Sequence, residues 1–113
     1  MKEIRAIVRS SKLSRLRQVL RDIPGFPGVT VHKAEGFTAP ASVDHKTIRE
    51  ELTDFTEKLA ITVLAPDEAV HSIVAAISDC CRTGQLGDGL IWVLPVEHVH
   101  RIRDNSTLWD AGA

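Results

Sequence analysis

Tyrosine is absent from this chain of 113 residues, and asparagine occurs once, at Asn105. Aromatic residues make up 4%, and only Trp92 falls well inside a predicted strand, so the chain lacks the stacking platform of a sheet-type RNA binder. Formal net charge is −1, so no global positive field draws it to nucleic acid or to an anionic membrane. No apolar run approaches the ~20 residues of a spanning helix. Charges at positions 2, 3, 5, 9 and 12 interrupt the stretch where a signal peptide would need its apolar centre. Cysteine is limited to the adjacent pair Cys80 and Cys81. A disulfide between neighbours is strained, and no C-x-x-C pair supports zinc. The expectation is a reduced, cytoplasmic protein with one of these cysteines packed in the core and the other partly exposed.

Catalytic inventory is equally thin. Ser10, Ser11, Asp67 and His71 have no nucleophile motif around them, and the acidic residues are scattered without pairing. An acylphosphatase-type loop needs an arginine and an asparagine, and the single asparagine lies in the tail. The chain reads as a non-enzyme.

What is present is a core. Hydrophobic residues supply 43% of the sequence, and the length suits one domain, residues 1–113. Lys2 to Arg9 carries Ile4, Ala6, Ile7 and Val8 and predicts a buried strand. From Lys12 to Ile23 the period changes: Leu13, Leu16, Leu20 and Ile23 fall on one helical face, Ser10 or Ser11 can cap it, and Pro24-Gly25 ends it. Gly28 to Phe37 predicts a second strand and Lys58 to Ala65 a third. A helix follows from Pro66-Asp67, with Asp67 as its cap and Val70, Ile73, Val74 and Ile77 as its stripe. Leu90 to Val96 is the fourth strand. A helical turn is expected over Glu97 to Arg101, and the tail from Asn105 to Ala113 has little pattern. Between the second and third strands, residues 38–57 form a long connection, of the length that usually serves function. Its second half reads as an amphipathic helix, with Thr47 and Glu50 at capping-box spacing and Ile48, Leu52 and Phe55 in register.

The order β-α-β-loop-β-α-β predicts an α+β, ferredoxin-like sandwich: a four-stranded antiparallel sheet with two helices on one face. The first, third and fourth strands look apolar on both sides. A sheet of that kind needs a second cover, and further copies of the chain supply it most cheaply.

Two groups of residues suit anion chemistry. Gly87-Asp88-Gly89 can bring backbone close to a phosphate, since neither glycine has a side chain in the way. Taken alone, it is an ordinary strand-entry turn. Arg101 and Arg103 alternate and can face one anion if the segment is extended; a solvated ion-pair role is the plainer alternative. Lys58 adds a third cation. Among the five histidines, His32, His98 and His100 are weak candidates for a metal, set against an ordinary surface role.

The stretch Arg82-Thr83-Gly84-Gln85-Leu86-Gly87-Asp88-Gly89-Leu90-Ile91-Trp92-Val93 resembles the RTGxxGDGxIxV segment of PII signal-transduction proteins. Gly28 to Val31, Glu35-Gly36-Phe37, Lys58, Pro66-Asp67 and Arg101-Ile102-Arg103 follow in family order, so the likeness covers residues 1 to about 104. The resemblance implies a homotrimer whose sheets face inward. It implies clefts between subunits that hold an adenine nucleotide (ATP, ADP or AMP, with or without magnesium), and no catalysis. It places Ile7, Thr30, Gly36, Phe37, Lys58, Leu64, Leu86, Gly87, Asp88, Gly89, Arg101 and Arg103 at that nucleotide, and makes residues 38–57 the loop that reports ligand state to a target protein.

Departures from the pattern mark a divergent branch. Gly36-Phe37 continues as Thr38-Ala39-Pro40 where the family has Gly-Arg-Gln, and Leu90 stands where it usually has lysine. Two phosphate-directed cations are missing, which favours ADP or AMP, or a different small anion such as bicarbonate, over a triphosphate. The lack of tyrosine removes the uridylylation site of enteric relatives. The resemblance implies regulation of a membrane transporter or metabolic system linked to nitrogen, inorganic carbon (bicarbonate) or metal, divergent branches being associated with the last two. The alternative reading is a divalent-metal-responsive trimeric sensor of the cation-tolerance type.

Overall fold

The computed structural model describes residues 1–36 and 56–112. Strand β1 spans Lys2–Arg9 and is followed by a 3-10 turn at Ser10–Lys12 and helix α1, Leu13–Arg21. Strands β2 (Thr30–Gly36) and β3 (Thr56–Ala65) come next, then helix α2 (Asp67–Cys81) and strand β4 (Leu90–Pro95). Two short strands, β5 (His98–Arg101) and β6 (Ser106–Asp110), close the chain. The main sheet has the order β2-β3-β1-β4, antiparallel throughout. This is the ferredoxin-like arrangement expected from the alternation of periods.

Alternation along the central strands decides which face is buried. Ile4, Ala6 and Val8 of β1 and Leu59, Ile61, Val63 and Ala65 of β3 point to the helices. There they join Leu16 and Leu20 of α1 and Ile73, Ile77, Cys80 and Cys81 of α2 in a single core. Each large aliphatic side chain removed from water contributes roughly 1.5–3 kcal/mol, and Ile4, Ile73 and Ile77 are 0% exposed. Both cysteines are buried, so the expected exposed member of the pair does not exist.

The opposite face is mixed rather than apolar. From β1 it carries Glu3, Arg5, Ile7 and Arg9, so the expectation that this strand is apolar on both sides fails: three of its four outward positions are charged. Apolar groups come from its neighbours, with Leu64 of β3 and Leu90, Trp92 and Leu94 of β4 exposed. Arg5 stacks over the Trp92 ring at 5.6 Å, a cation–π contact that covers part of it.

Other expectations need correction. Neither Ser10 nor Ser11 caps α1 through its side chain; both lie in the 3-10 turn. Pro66 occupies the N-cap of α2, and the Asp67 carboxylate pairs instead with the Met1 ammonium at 2.8 Å. Thr56 and Glu57, assigned to the long connection, are the first residues of β3 and pair with Gly36 and Glu35. Phe37, the Thr47–Glu50 capping box and the Ile48-Leu52-Phe55 stripe lie outside the described residues.

The C-terminal region differs most. The expected helical turn is strand β5, and the tail pairs with it as β6. Val99 opposite Trp109 supplies a cross-strand apolar pair. The Trp109 indole donates to the Val96 carbonyl at 2.9 Å. Asn105 takes the left-handed conformation (φ 60°), which asparagine tolerates well, and the Asp104 carboxylate accepts from Ser106 N and Oγ at 3.0 and 2.6 Å.

Candidate functional site

Three strand ends converge at one corner of the sheet. Arg9, the last residue of β1, lies opposite Lys58 of β3, and Ile7 lies opposite Leu90 of β4. The loop from Arg82 to Gly89, between α2 and β4, passes over this corner.

Asp88 organises the loop. Its carboxylate accepts from the Thr83 amide at 2.7 Å, the Gly84 amide at 2.8 Å and the Thr83 hydroxyl, and from Arg9 Nε at 3.4 Å. Those four donors, the Thr83 hydroxyl foremost, hold its pKa well below the usual carboxylate range. Its acceptor capacity is spent within the protein, so it contributes to any ligand site by shaping the turn. The glycines on either side serve different ends. A Cβ on Gly89 would stand 1.7 Å from the Ile7 carbonyl oxygen, so this glycine lets the loop lie against β1. A Cβ on Gly87 would meet only the tips of Arg9 and Lys58, at 3.2 and 3.5 Å, so its bare face looks onto the two cations. Both have φ near 100°, a region that side chains rarely adopt.

Lys58 is the one buried charged residue among those described. Its Nζ donates to the Gly87 carbonyl at 2.9 Å. Burial, then the Arg9 charge, lower its pKa, while Asp88 works in the other direction. Arg9 donates from Nη2 to the Leu86 carbonyl at 2.7 Å. Two cations thus face one carboxylate, an excess of positive charge held beside a glycine. Leu86 and Gly87 form a turn, and among the described residues their amides have no protein acceptor. Exposed amides and unbalanced cations are the chemistry of an anion site.

Arg9 was not among the residues singled out from the sequence. Its signal was available: it shares the parity of Ile7 on β1, and every second residue of that strand points to the open face.

The residues named from the sequence fall into three places. Ile7, Gly36, Lys58, Leu86, Gly87, Asp88 and Gly89 gather at the Lys58 corner, since Gly36 pairs with Thr56, two residues from Lys58 on the same face. Thr30 and Leu64 line a separate shallow cavity of about 290 Å³ with Pro27, Gly28, Val29 and Thr62. Leu64 is six steps along β3 from Lys58, which is about 20 Å at a strand's rise. Arg101 and Arg103 form the third group, on the β5–β6 hairpin. They are not on one extended segment, because β5 ends at Arg101 and a turn follows. In this chain the anion they share is the Asp104 carboxylate, at 3.4 and 3.9 Å. Ile102 between them is 96% exposed.

Each described histidine of the three singled out has its own surroundings. His98 and His100 stack with ring centroids 5.9 Å apart; His98 lies 3.7 Å from the Asp110 carboxylate and His100 bonds Asn105 at 2.6 Å. His32 sits on the main sheet. No group of three or more metal-ligating side chains occurs among the described residues. Nor is any helix among them long and apolar enough to cross a membrane.

Comparison with known proteins adds a separate line. The profile of the family described as "Nitrogen regulatory protein P-II" matches residues 1–106. "Nitrogen regulatory protein P-II" of Azospirillum brasilense is 37% identical over 114 residues, covering 98% of this chain and 99% of its own. The protein of the same description from Rhizobium meliloti (strain 1021) is 36% identical with the same coverage. "Nitrogen fixation nifHD region GlnB-like protein 2" of Methanobacterium ivanovii is 35% identical over 121 residues, covering 98% of each chain.

Proposed function

Since this chain belongs to the nitrogen regulatory protein P-II family of signalling regulators, we propose that it acts by binding an adenine nucleotide between the subunits of a homotrimer and catalyses no reaction. One observation carries this reading: Arg9 and Lys58 are set around the bare face of Gly87 with a single carboxylate between them. A diphosphate placed there supplies the missing negative charge, accepts from the loop amides and replaces the carbonyls that Lys58 and Arg9 now hold. The adenine is assigned to the Thr30–Leu64 cavity and the arginine pair to a second phosphate contact. Leu64 lies about 20 Å along β3 from Lys58, and Thr30, paired with Thr62, about 13 Å; the cavity and the Lys58 corner are assigned to neighbouring subunits, as the family resemblance implies.

Leu90 stands at the mouth of the glycine turn, where a cation would be needed for a third phosphate. That favours ADP or AMP over ATP, and magnesium is not required to offset so small a charge. A small anion such as bicarbonate fits the same corner as a second effector. Gly36 and Thr56 are paired beside Lys58, so the chain leaves and re-enters the sheet next to the phosphates. Ligand contact there is reported through the connection 38–57 as a change in affinity for a target protein, such as a membrane transporter, in the cytoplasm.

Calorimetry with ADP tests the proposal. Lys58→Met is expected to weaken binding roughly 30- to 100-fold, the worth of a charge-assisted hydrogen bond. Arg101→Ala combined with Arg103→Ala is expected to abolish measurable binding with the fold intact. Unchanged ADP affinity in both variants would remove the site from this corner.

A further inference from the structure

Cys80 and Cys81 end α2 side by side, and nothing in the nucleotide reading uses them. Both thiols are free, at 8% and 4% exposure. Cys81 is nevertheless reachable, because it lines a cavity of about 380 Å³ together with Ile7, Ser78, Arg82, Asp88 and Gly89. A direct disulfide would need the sulfurs at about 2.05 Å and would close a strained ring through one peptide. Adjacent side chains on a helix diverge, which opposes that bond further. A third atom placed between the sulfurs relieves both difficulties, since it spans a wider gap.

The surroundings choose the charge of that atom. Both thiols are packed in the core, Cys80 at 8% and Cys81 at 4% exposure, where an uncompensated charge is costly. Negative charge is therefore penalised here, and a complex that leaves one thiolate charge uncancelled carries that penalty. A centre with two positive charges gives a neutral product. No third sulfur, imidazole or carboxylate forms a ligand cluster with the pair among the described residues, so an ion that demands four protein ligands, such as zinc, is poorly served. Soft thiolates select thiophilic centres.

We propose that Cys80 and Cys81 form a two-sulfur site for a thiophilic centre that two sulfurs satisfy and whose two charges they cancel, of the mercuric or monosubstituted trivalent arsenic class. The reactions balance without an oxidant. A mercuric ion and two thiols give the dithiolate and two protons. An organoarsenic(III) oxide and two thiols give the cyclic dithioarsenite and one water.

The test uses the full-length protein in buffer well below its melting temperature, with phenylarsine oxide in one arm and mercuric chloride in the other. Mass spectrometry of the chain is expected to show one adduct with loss of both titratable thiols, reversed by an excess of a dithiol but not of a monothiol. Cys80→Ala and Cys81→Ala are each expected to bind roughly a hundredfold more weakly, because the second bond is intramolecular only when both sulfurs are present. Melting curves report whether those variants are folded. Should either fail to fold, wild-type protein gives the same answer: one equivalent of reagent should protect both Cys80 and Cys81 from alkylation. Two adducts per chain, protection of one cysteine only, or undiminished affinity in either folded variant would overturn the site. A response in one arm alone identifies which class of centre the pocket admits.

Discussion

The two cationic pairs of this protein are built in opposite ways. Arg9 and Lys58 sit on neighbouring central strands, and their side chains are tied to the Leu86 and Gly87 carbonyls and the Asp88 carboxylate. Arg101 and Arg103 lie on a two-stranded hairpin, at 40% and 79% side-chain exposure, around their own Asp104. The first pair is preorganised and bears the desolvation cost in the absence of ligand, as the lowered Lys58 pKa records. The second pair stays solvated, and its interaction with Asp104 is worth little. The proposed site draws on both, joining a preorganised half to a solvated one.

The largest expected effect tests whether the preorganised half depends on backbone approach. Gly89→Ala places a methyl group 1.7 Å from the Ile7 carbonyl at a φ of 106°. Backbone must move, at a cost of ~3 kcal/mol or more. The midpoint of thermal unfolding should fall by more than about 10 °C on the scale of 4–8 °C per kcal/mol for a domain near this size. Gly87→Ala meets only two flexible side-chain tips, so its penalty is chiefly that of φ and should be smaller.

Acid unfolding sharpens the comparison next. Asp88 has a folded pKa below its unfolded value near 3.9. The stabilisation it gives is therefore complete above about pH 4 and is lost as pH falls toward the folded value. Asp104 shows the same direction, caused first by Ser106. Chemical denaturation between pH 2.5 and 6 should show a flatter acid limb in Asp88→Asn than in wild type. Asp104→Asn should change that limb less, because its contacts are confined to the hairpin.

The smallest effect concerns protons. Lys58 has a folded pKa below 10.5, so the unligated protein loses that proton at a lower pH than a free lysine does. An anion beside it restores the pKa. In the window between the lowered value and 10.5, ADP binding should take up a fraction of a proton, visible as a dependence of the calorimetric enthalpy on buffer ionisation. Lys58→Met should abolish that uptake, whereas Arg101→Ala should leave it.

The main sheet was legible because period and punctuation agreed. Leu13-Leu16-Leu20 could only form a helical stripe, and Pro24-Gly25 and Gly87-Asp88-Gly89 could only interrupt. The β5–β6 hairpin was hidden because its strands are short and polar, and its turn rests on Asp104 and Asn105 rather than on glycine. The Asp67 cap failed because proline at 66 took the capping position and the Met1 ammonium took the carboxylate. At the site, the glycine turn and Lys58 were readable as residue types. Arg9 was not, since its role depends on the register that sets it against Lys58 and on the loop that crosses both.

Subunit mixing puts the shared site to its most direct test. Lys58→Met lacks one half of the anion contacts, and Arg101→Ala with Arg103→Ala lacks the other. Each variant alone should bind ADP poorly. When the two are unfolded together and reassembled, about a quarter of the clefts in random closed trimers should pair an intact Lys58 corner with an intact arginine turn, and high-affinity ADP binding should return in that proportion. Mixed protein that stays as weak as its parents would mean that both halves serve one chain, and that the cleft between copies is not where the ligand sits.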